Sequence, residues 1–150
     1  EIHNSGHDNF YENFSSKKIN SLKKLIKNLV KIYKIEKTNI IGHSDIAPNR
    51  KKDPGEKFPW KDLSKIKLAK WHNLDEKKIR KLRLIKLTYN EENKFLKNLL
   101  KIGYNLSRSS KQGSEKKLIF KAFQRRFRQS LINGKSDQEC LLISKNLIKS

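Results

Sequence analysis

The chain has no methionine, one cysteine and three prolines among its 150 residues. Because a primary translation product begins with Met and this chain begins with Glu1, the sequence predicts a fragment or a processed product of a longer protein. The single Cys140 excludes an intrachain disulfide and a multi-cysteine zinc site. No run of about 18 apolar residues occurs, so no transmembrane helix is predicted. We therefore expect membrane association only through a segment that would precede Glu1.

Acidic residues are also scarce: 15 Asp and Glu face 36 Lys and Arg, for a formal net charge of +21. A charge of this size favours anionic partners. However, 29 of the basic residues are Lys and only 7 are Arg, whereas specific readers of nucleic acid depend on bidentate Arg contacts. We therefore expect no specific nucleic-acid partner, and we favour an anionic surface of the cell envelope.

Apolar residues at spacings of three and four predict a mostly helical chain. The first helix begins after a Ser15–Ser16 N-cap and is amphipathic, and a buried strand follows it. The predicted elements are a helix over 17–34, a strand over 38–41, a basic linker with helical tendency over 72–90, and helices over 91–102, 114–127 and 137–148.

All three prolines fall in one stretch of nineteen residues, GHSDIAPNRKKDPGEKFPW, from Gly42 to Trp60. His43 follows the predicted strand. Asp53 comes ten residues later and lies between Pro48 and Pro54. Proline fixes φ and restricts the preceding residue, so this loop can hold side chains still without regular structure. Imidazole and carboxylate are suitable zinc ligands. On the residues alone, a structural histidine before a turn remains an alternative.

The whole stretch is more specific than the His–Asp pair. It closely resembles the C-terminal zinc motif of the N-acetylmuramoyl-L-alanine amidases of the AmpD/AmiD type (the amidase-2 family), with a pattern near G-H-S-D-I-A-P-x-R-K-x-D-P-G-x-x-F-x-W. EIHNSGHDNFYENF resembles the segment after the family's central strand, where G-I-E-x-x-N-x-G occurs. The resemblance implies that residues 1–71 are the C-terminal half of an α/β amidase domain, an incomplete mixed sheet with helices.

The resemblance also implies roles for single residues. His43 matches the second zinc-binding histidine, and Asp53 matches the zinc-binding aspartate. Lys51 matches the lysine that stabilises the oxyanion, and Glu1 matches the glutamate that acts as general base on the zinc-bound water. The remaining loop residues have structural roles in this interpretation. Asp45 and Arg50 are expected to brace the loop, and Pro54 and Gly55 to shape the turn that presents Asp53. Phe58, Pro59 and Trp60 are expected to pack the loop onto the core or to form the rim of the cleft.

The third zinc ligand is missing from this pattern. In the family, the first zinc histidine lies upstream of the glutamate, and this chain begins at the glutamate. His3 and His7 are the candidate substitutes, although His7 fits an N-x-G-H pattern of relatives in which it is not a ligand.

The last sixty residues resemble a second family. FLKNLLKIGYNL, LIFKAFQRRF and NGKSDQEC are similar to the L-x-x-L-G-Y, A-F-Q-x-x-F and D-G-x-x-D-x-x-T patterns of peptidoglycan-binding domain 1. Cys140 stands where the family usually has Thr, and Lys135 where an apolar residue is common. The resemblance implies an all-α three-helix domain over 91–150, with Phe123 and Phe127 in its core. A generic three-helix bundle is the alternative.

Together the two resemblances imply an enzyme with Zn²⁺ as cofactor, which cleaves the amide bond between N-acetylmuramic acid and L-alanine in peptidoglycan or muropeptides. The alternative is a truncated, inactive remnant that only binds peptidoglycan, and the missing histidine supports it. A basic nucleic-acid binder would give no reason for the proline-rich motif. We expect a monomer in the cell envelope, at the periplasm or outer membrane, with a cytoplasmic location as the alternative.

Overall fold

The computed structural model describes Asn4, residues 11–105 and residues 113–149. These residues form seven α-helices and two short 3₁₀ helices. The α-helices are α1 (Ser16–Tyr33), α2 (His43–Ile46), α3 (Trp60–Lys65), α4 (Glu76–Ile79), α5 (Tyr89–Ile102), α6 (Gly113–Phe127) and α7 (Gln138–Leu147), and the 3₁₀ helices are Lys37–Asn39 and Arg80–Leu84. Within the described residues, no helix is both long enough and apolar enough to cross a membrane.

The first helix begins and ends at local signals. The Ser15 hydroxyl accepts a hydrogen bond from Lys18 N at 3.3 Å and so satisfies a free amide of the first turn. Lys34 adopts the left-handed conformation, with φ at 51°, and ends the helix. The apolar residues of α1 form one cluster with residues of the proline-rich loop and of α3. The members of this cluster are Phe14, Ile19, Leu22, Ile26, Val30, Ile40, Phe58, Trp60, Leu63, Leu68, Ala69 and Trp71.

The predicted mixed sheet is wrong for the described residues. Their only β pairing is an isolated antiparallel bridge between Lys86 and Asp137. The stretch predicted as a strand, 38–41, instead completes the 3₁₀ helix Lys37–Asn39 and continues as irregular backbone. A strand needs a neighbour for its main-chain groups. Here the carbonyl of Ile40 accepts a hydrogen bond from the Arg126 side chain at 3.0 Å instead.

The three C-terminal helices were predicted, and two of them, α5 and α7, have recognisable boundary signals. Thr88 and Glu91 form a capping box at the start of α5. Gly103, with φ at 112°, ends α5 in a conformation that strains residues with a side chain. Asp137 caps α7 by accepting from Cys140 N at 2.9 Å. Their apolar faces form the largest core of the described chain: Phe95, Leu99, Tyr104, Ile119, Phe120, Ala122, Phe123, Phe127, Cys140, Leu141, Ile143 and Leu147.

The stretch between the two groups of helices also packs on this core. Ile79 is buried in it, and Trp71, Leu74, Leu82 and Leu87 lie against it. Trp71 also contacts the cluster around α1. The division of the chain at 71 and 90 stays a prediction, but the apolar clusters on its two sides share a side chain.

Candidate functional site

The proline-rich loop begins with a single helical turn, α2, that presents His43 at its first position. Gly42 N donates a hydrogen bond to the Asp45 carboxylate at 2.9 Å, which fixes the start of this turn. The chain then returns, and Ser44 N donates to the carbonyl of Asp53 at 3.0 Å. This main-chain bond joins the residue after His43 to Asp53. The two candidate ligands are therefore held together by the backbone as well as by their side chains.

The His43 and Asp53 side chains converge on one point. His43 Nδ1 and Asp53 Oδ2 lie 2.5 Å apart, and the side chains are 67% and 54% exposed. At this distance the two atoms share a hydrogen bond. An imidazole nitrogen and a carboxylate oxygen at an exposed position are also groups that bind Zn²⁺. Among the residues that the structure describes, no cluster of three or more His, Cys, Asp or Glu side chains could hold a metal ion. The pair thus fits part of a zinc site, and a full set would need a further ligand.

The two ends of the loop approach closely at Gly42. A Cβ atom at this position would lie 2.6 Å from Pro54 Cδ and 3.3 Å from the Trp60 ring. Only glycine leaves space for the proline that follows Asp53. The motif's glycine and second proline therefore act together, because their contact sets the position of Asp53 relative to His43.

A buried ion pair braces the loop from beneath. Arg126 on α6 donates to the Asp45 carboxylate at 3.1 Å, and the Tyr104 hydroxyl donates to the same carboxylate at 2.8 Å. The Arg126 guanidinium also lies 3.4 Å above the centre of the Trp60 ring. Cation–π contacts of this kind add to the ion pair when the cation is desolvated. Asp45, which we expected to brace the loop, does so through residues of the C-terminal helices.

Burial changes the ionisation of this network. Burial, and next the nearby Asp45 charge, raise the pKa of Tyr104 well above its ordinary value, so the phenol stays a donor. Burial lowers the pKa of Arg126, and the Asp45 carboxylate opposes that change. The guanidinium still remains charged at neutral pH because its ordinary pKa is so high. The carboxylate is thus held between a permanent cation and a hydroxyl that does not ionise.

Sequence reasoning missed Arg126 and Tyr104 as members of the site. Tyr104 was part of a helical family pattern, and Arg126 was one residue of the QRRF run. A signal was available for Arg126, which follows the core residue Phe123 by three positions and so lies on the apolar face of α6. A buried arginine on such a face needs a partner.

The aromatic residues at the end of the loop pack inward, which is one of the two positions expected for them. Phe58 and Trp60 are buried, and their ring centres lie 4.5 Å apart. Phe14, which precedes α1, meets Phe58 edge-on at 5.4 Å. Gln129, just after α6, donates to the carbonyl of Phe58 at 2.7 Å. The loop is therefore fixed at both ends, and in both places a residue of α6 or its C-terminal extension makes the contact.

Lys51 lies on the exposed side of the loop and lines a cleft of about 370 Å³. The opposite wall comes from α6 and the segment after it. A flexible ammonium in an open cleft can approach an oxygen atom that develops negative charge. Glu1, His3 and His7, the other residues named for catalysis or for metal binding, lie outside the described residues.

Comparisons with known proteins agree with this motif. Residues 1–56 match the family model Amidase_2, N-acetylmuramoyl-L-alanine amidase. The chain is 29% identical over 140 residues to the N-acetylmuramoyl-L-alanine amidase AmiD of Escherichia coli strain K12, which covers 93% of this chain and 50% of AmiD. It is 49% identical over 49 residues to the 1,6-anhydro-N-acetylmuramyl-L-alanine amidase AmpD of Haemophilus influenzae, covering 31% of this chain and 27% of AmpD.

Solved structures extend the likeness beyond the motif. The structure of Escherichia coli AmiD with anhydro-N-acetylmuramic acid-L-Ala-D-γ-Glu-L-Lys matches with a TM-score of 0.78 at 28% identity, over 93% of this chain and 54% of that one. The structure of AmpDh3 from Pseudomonas aeruginosa matches with a TM-score of 0.81 at 28% identity, over 97% of this chain and 59% of that one. The chain thus spans about half the length of AmiD. Residues 1–56 carry the Amidase_2 family match, and the chain along nearly its whole length is similar in sequence and fold to N-acetylmuramoyl-L-alanine amidases.

Proposed function

We propose that this chain is part of a zinc-dependent N-acetylmuramoyl-L-alanine amidase that acts on muropeptides. The observation that carries the proposal is the meeting of His43 Nδ1 and Asp53 Oδ2, 2.5 Å apart, within a stretch that matches the Amidase_2 model. The relatives support the substrate class, because AmiD was solved with an anhydro-muramyl tripeptide and AmpD is named for anhydro-muramyl-L-alanine cleavage. The bond to be cleaved is the amide between N-acetylmuramic acid and L-alanine.

The candidate site residues have separate roles in this proposal. His43 and Asp53 would hold Zn²⁺, which when bound polarises the substrate carbonyl and makes water a better nucleophile. Lys51 lines a cleft beside the loop, and its ammonium would stabilise negative charge on the carbonyl oxygen. The Glu1 carboxylate, by resemblance, takes the proton of the attacking water. The Asp45–Arg126 pair keeps the loop in place.

Two variants test the metal site on the chain as it stands. We expect the chain to bind about one Zn²⁺ and to release L-Ala-headed peptide from an anhydro-muropeptide, and we expect a chelator to stop the release. Asp53→Asn removes an exposed carboxylate of the pair, and Asp62→Asn removes an exposed carboxylate on α3 that pairs with Lys65. Zinc binding should be lost in the first variant and kept in the second. Equal zinc binding by the two variants would refute the site.

A second candidate function is peptidoglycan binding without hydrolysis. It is favoured by the finding that the described residues bring together two candidate ligands where a catalytic zinc needs about three. His3 and His7 stay candidates for the third position. Binding of muropeptide with no zinc and no cleavage would select this second function. The envelope location, the monomeric state and the peptidoglycan-binding role of residues 91–150 stay predictions.

A further inference from the structure

The cleft beside Lys51 joins the proline-rich loop to the C-terminal helices. One wall is formed by residues 48–52 of the loop, and the other by α6 and the segment that follows it. Its volume of about 370 Å³ lies within the range of small-ligand sites. The proposed oxyanion lysine is thus part of a surface that α6 completes.

The walls of this cleft are strongly basic. Among the residues that the structure describes, four cationic side chains besides Lys52 line it, against the carboxylate of Glu56: Arg50, Lys51, Lys121 and Arg125. Like charges that share a partly enclosed space repel each other and raise the local positive potential. An anion that enters the cleft relieves this repulsion, so the cleft selects negatively charged ligands.

Arg125 is the most deeply placed of these cations. It is 8% exposed, and within the described part of the chain it forms no hydrogen bond or ion pair. The neighbouring arginines differ: Arg126 pairs with Asp45, and Arg128 pairs with Asp137 and Glu139. Arg125 lines the cleft with the small part of its surface that stays exposed, and a guanidinium with so little access to water is stabilised by an anionic partner. Among the three arginines of α6 and its end, Arg125 is the one left for a ligand.

We propose that Arg125, with Lys121 one helical turn before it, binds the free α-carboxylate of the γ-linked glutamate in the stem peptide of the substrate. The AmiD complex holds L-Ala-D-γ-Glu-L-Lys, and a glutamate linked through its side chain keeps its α-carboxylate. That carboxylate belongs to the residue after L-alanine, and one extended residue spans about 3.3–3.6 Å. Lys51, which under the proposed function would contact the scissile carbonyl, lines the same cleft as Arg125, so a carboxylate one residue beyond L-alanine would enter this cleft as well.

This inference rests on the proposed function for the identity of the ligand, but its test needs no catalysis. Calorimetry at about 0.15 M salt compares L-Ala-γ-D-Glu-L-Lys with the same peptide carrying an α-carboxamide on its glutamate. Because hydrogen bonds to charged groups are the stronger ones, the native chain should bind the carboxylate peptide about tenfold or more tightly. In Arg125→Gln this preference should fall to about twofold or less, and Arg125→Lys should restore part of it.

Lys97→Gln is the matched control, because it also removes one positive charge, from an exposed position on α5. It should keep the full preference, which separates a specific subsite from general attraction to a basic protein. Lys121→Gln tests a second, less buried residue of the cleft and should reduce the preference for the carboxylate peptide by a few-fold. Equal binding of the two peptides by the native chain, or an unchanged preference in Arg125→Gln, would overturn the inference. Absence of zinc and of cleavage, with the preference intact, would refute the amidase proposal alone.

Discussion

Replacing Arg126 by Met tests whether the C-terminal helices stabilise the candidate site. The substitution keeps an unbranched side chain of considerable length but removes the charge and all donors. Arg126 donates to Asp45 at 3.1 Å and to the carbonyl of Ile40 at 3.0 Å. The Arg126 and Asp45 side chains are 3% and 12% exposed. Water therefore cannot readily replace the lost partner.

The expected loss of unfolding free energy follows from this burial. Removing one partner of a buried ion pair destabilises by about 3–5 kcal/mol, because the other charge stays buried without compensation. Two donors to Asp45 remain in the variant, the Tyr104 hydroxyl and Gly42 N. We therefore expect the lower end of the range, about 3 kcal/mol.

Urea denaturation followed by tryptophan fluorescence measures this loss, and Trp60 reports on the site because Arg126 lies against its ring. Arg80→Met is the control: it removes an exposed arginine and should change stability by less than about 0.5 kcal/mol. The double variant with Asp45→Asn should be less destabilised than the sum of the single variants, since the two residues interact. A loss below about 1 kcal/mol in Arg126→Met, or strict additivity with Asp45→Asn, would refute the bracing role.

Three further outcomes follow from the structure. Gly42→Ala should lower stability by about 1–3 kcal/mol, measured by urea denaturation, because its Cβ would lie 2.6 Å from Pro54 Cδ; a neutral effect would contradict the close approach. Cys140 is fully buried, and burial raises the pKa of its thiol to about 12, so a thiol reagent at pH 8 should label it only after unfolding; rapid labelling of the native chain would show that α7 is not packed in this way. Burial lowers the pKa of His72 below its ordinary 6.5, so the unfolded chain takes up a proton that the folded chain resists, and stability should fall as the pH drops below about 6.5. This fall should be smaller in His72→Gln, and an equal fall in both proteins would exclude His72 as its source.

The helices could be predicted from sequence because their signals are local. Ser15 before α1, Gly103 after α5 and the repeated apolar spacing each act within a few residues of the element that they define. The strand over 38–41 could not be judged in the same way. A strand depends on a partner elsewhere, and among the described residues the carbonyl of Ile40 pairs with a side chain of α6.

The same distinction applies to the candidate site. His43, Lys51 and Asp53 could be predicted as site residues because all three lie in one continuous motif. The structure brings His43 and Asp53 together. The contact of Arg126 with Asp45 joins residues 81 positions apart. No periodicity or motif carries information over that separation, and a charge on an apolar helix face indicates only that some partner exists.

The position of Trp71 has a thermodynamic consequence. Its ring lies 5.9 Å from that of Phe127, and its side chain packs against the apolar cluster of α1 and α3 as well as the core of α5–α7. Two hydrophobic clusters that share a side chain tend to unfold in one cooperative step. Any ligand of the proline-rich loop should then raise the melting temperature of helices that it does not touch, by mass action on a single folding equilibrium. Heat capacity would show one transition that moves with ligand concentration, and the helices around Phe123 would melt no earlier than the loop that holds His43.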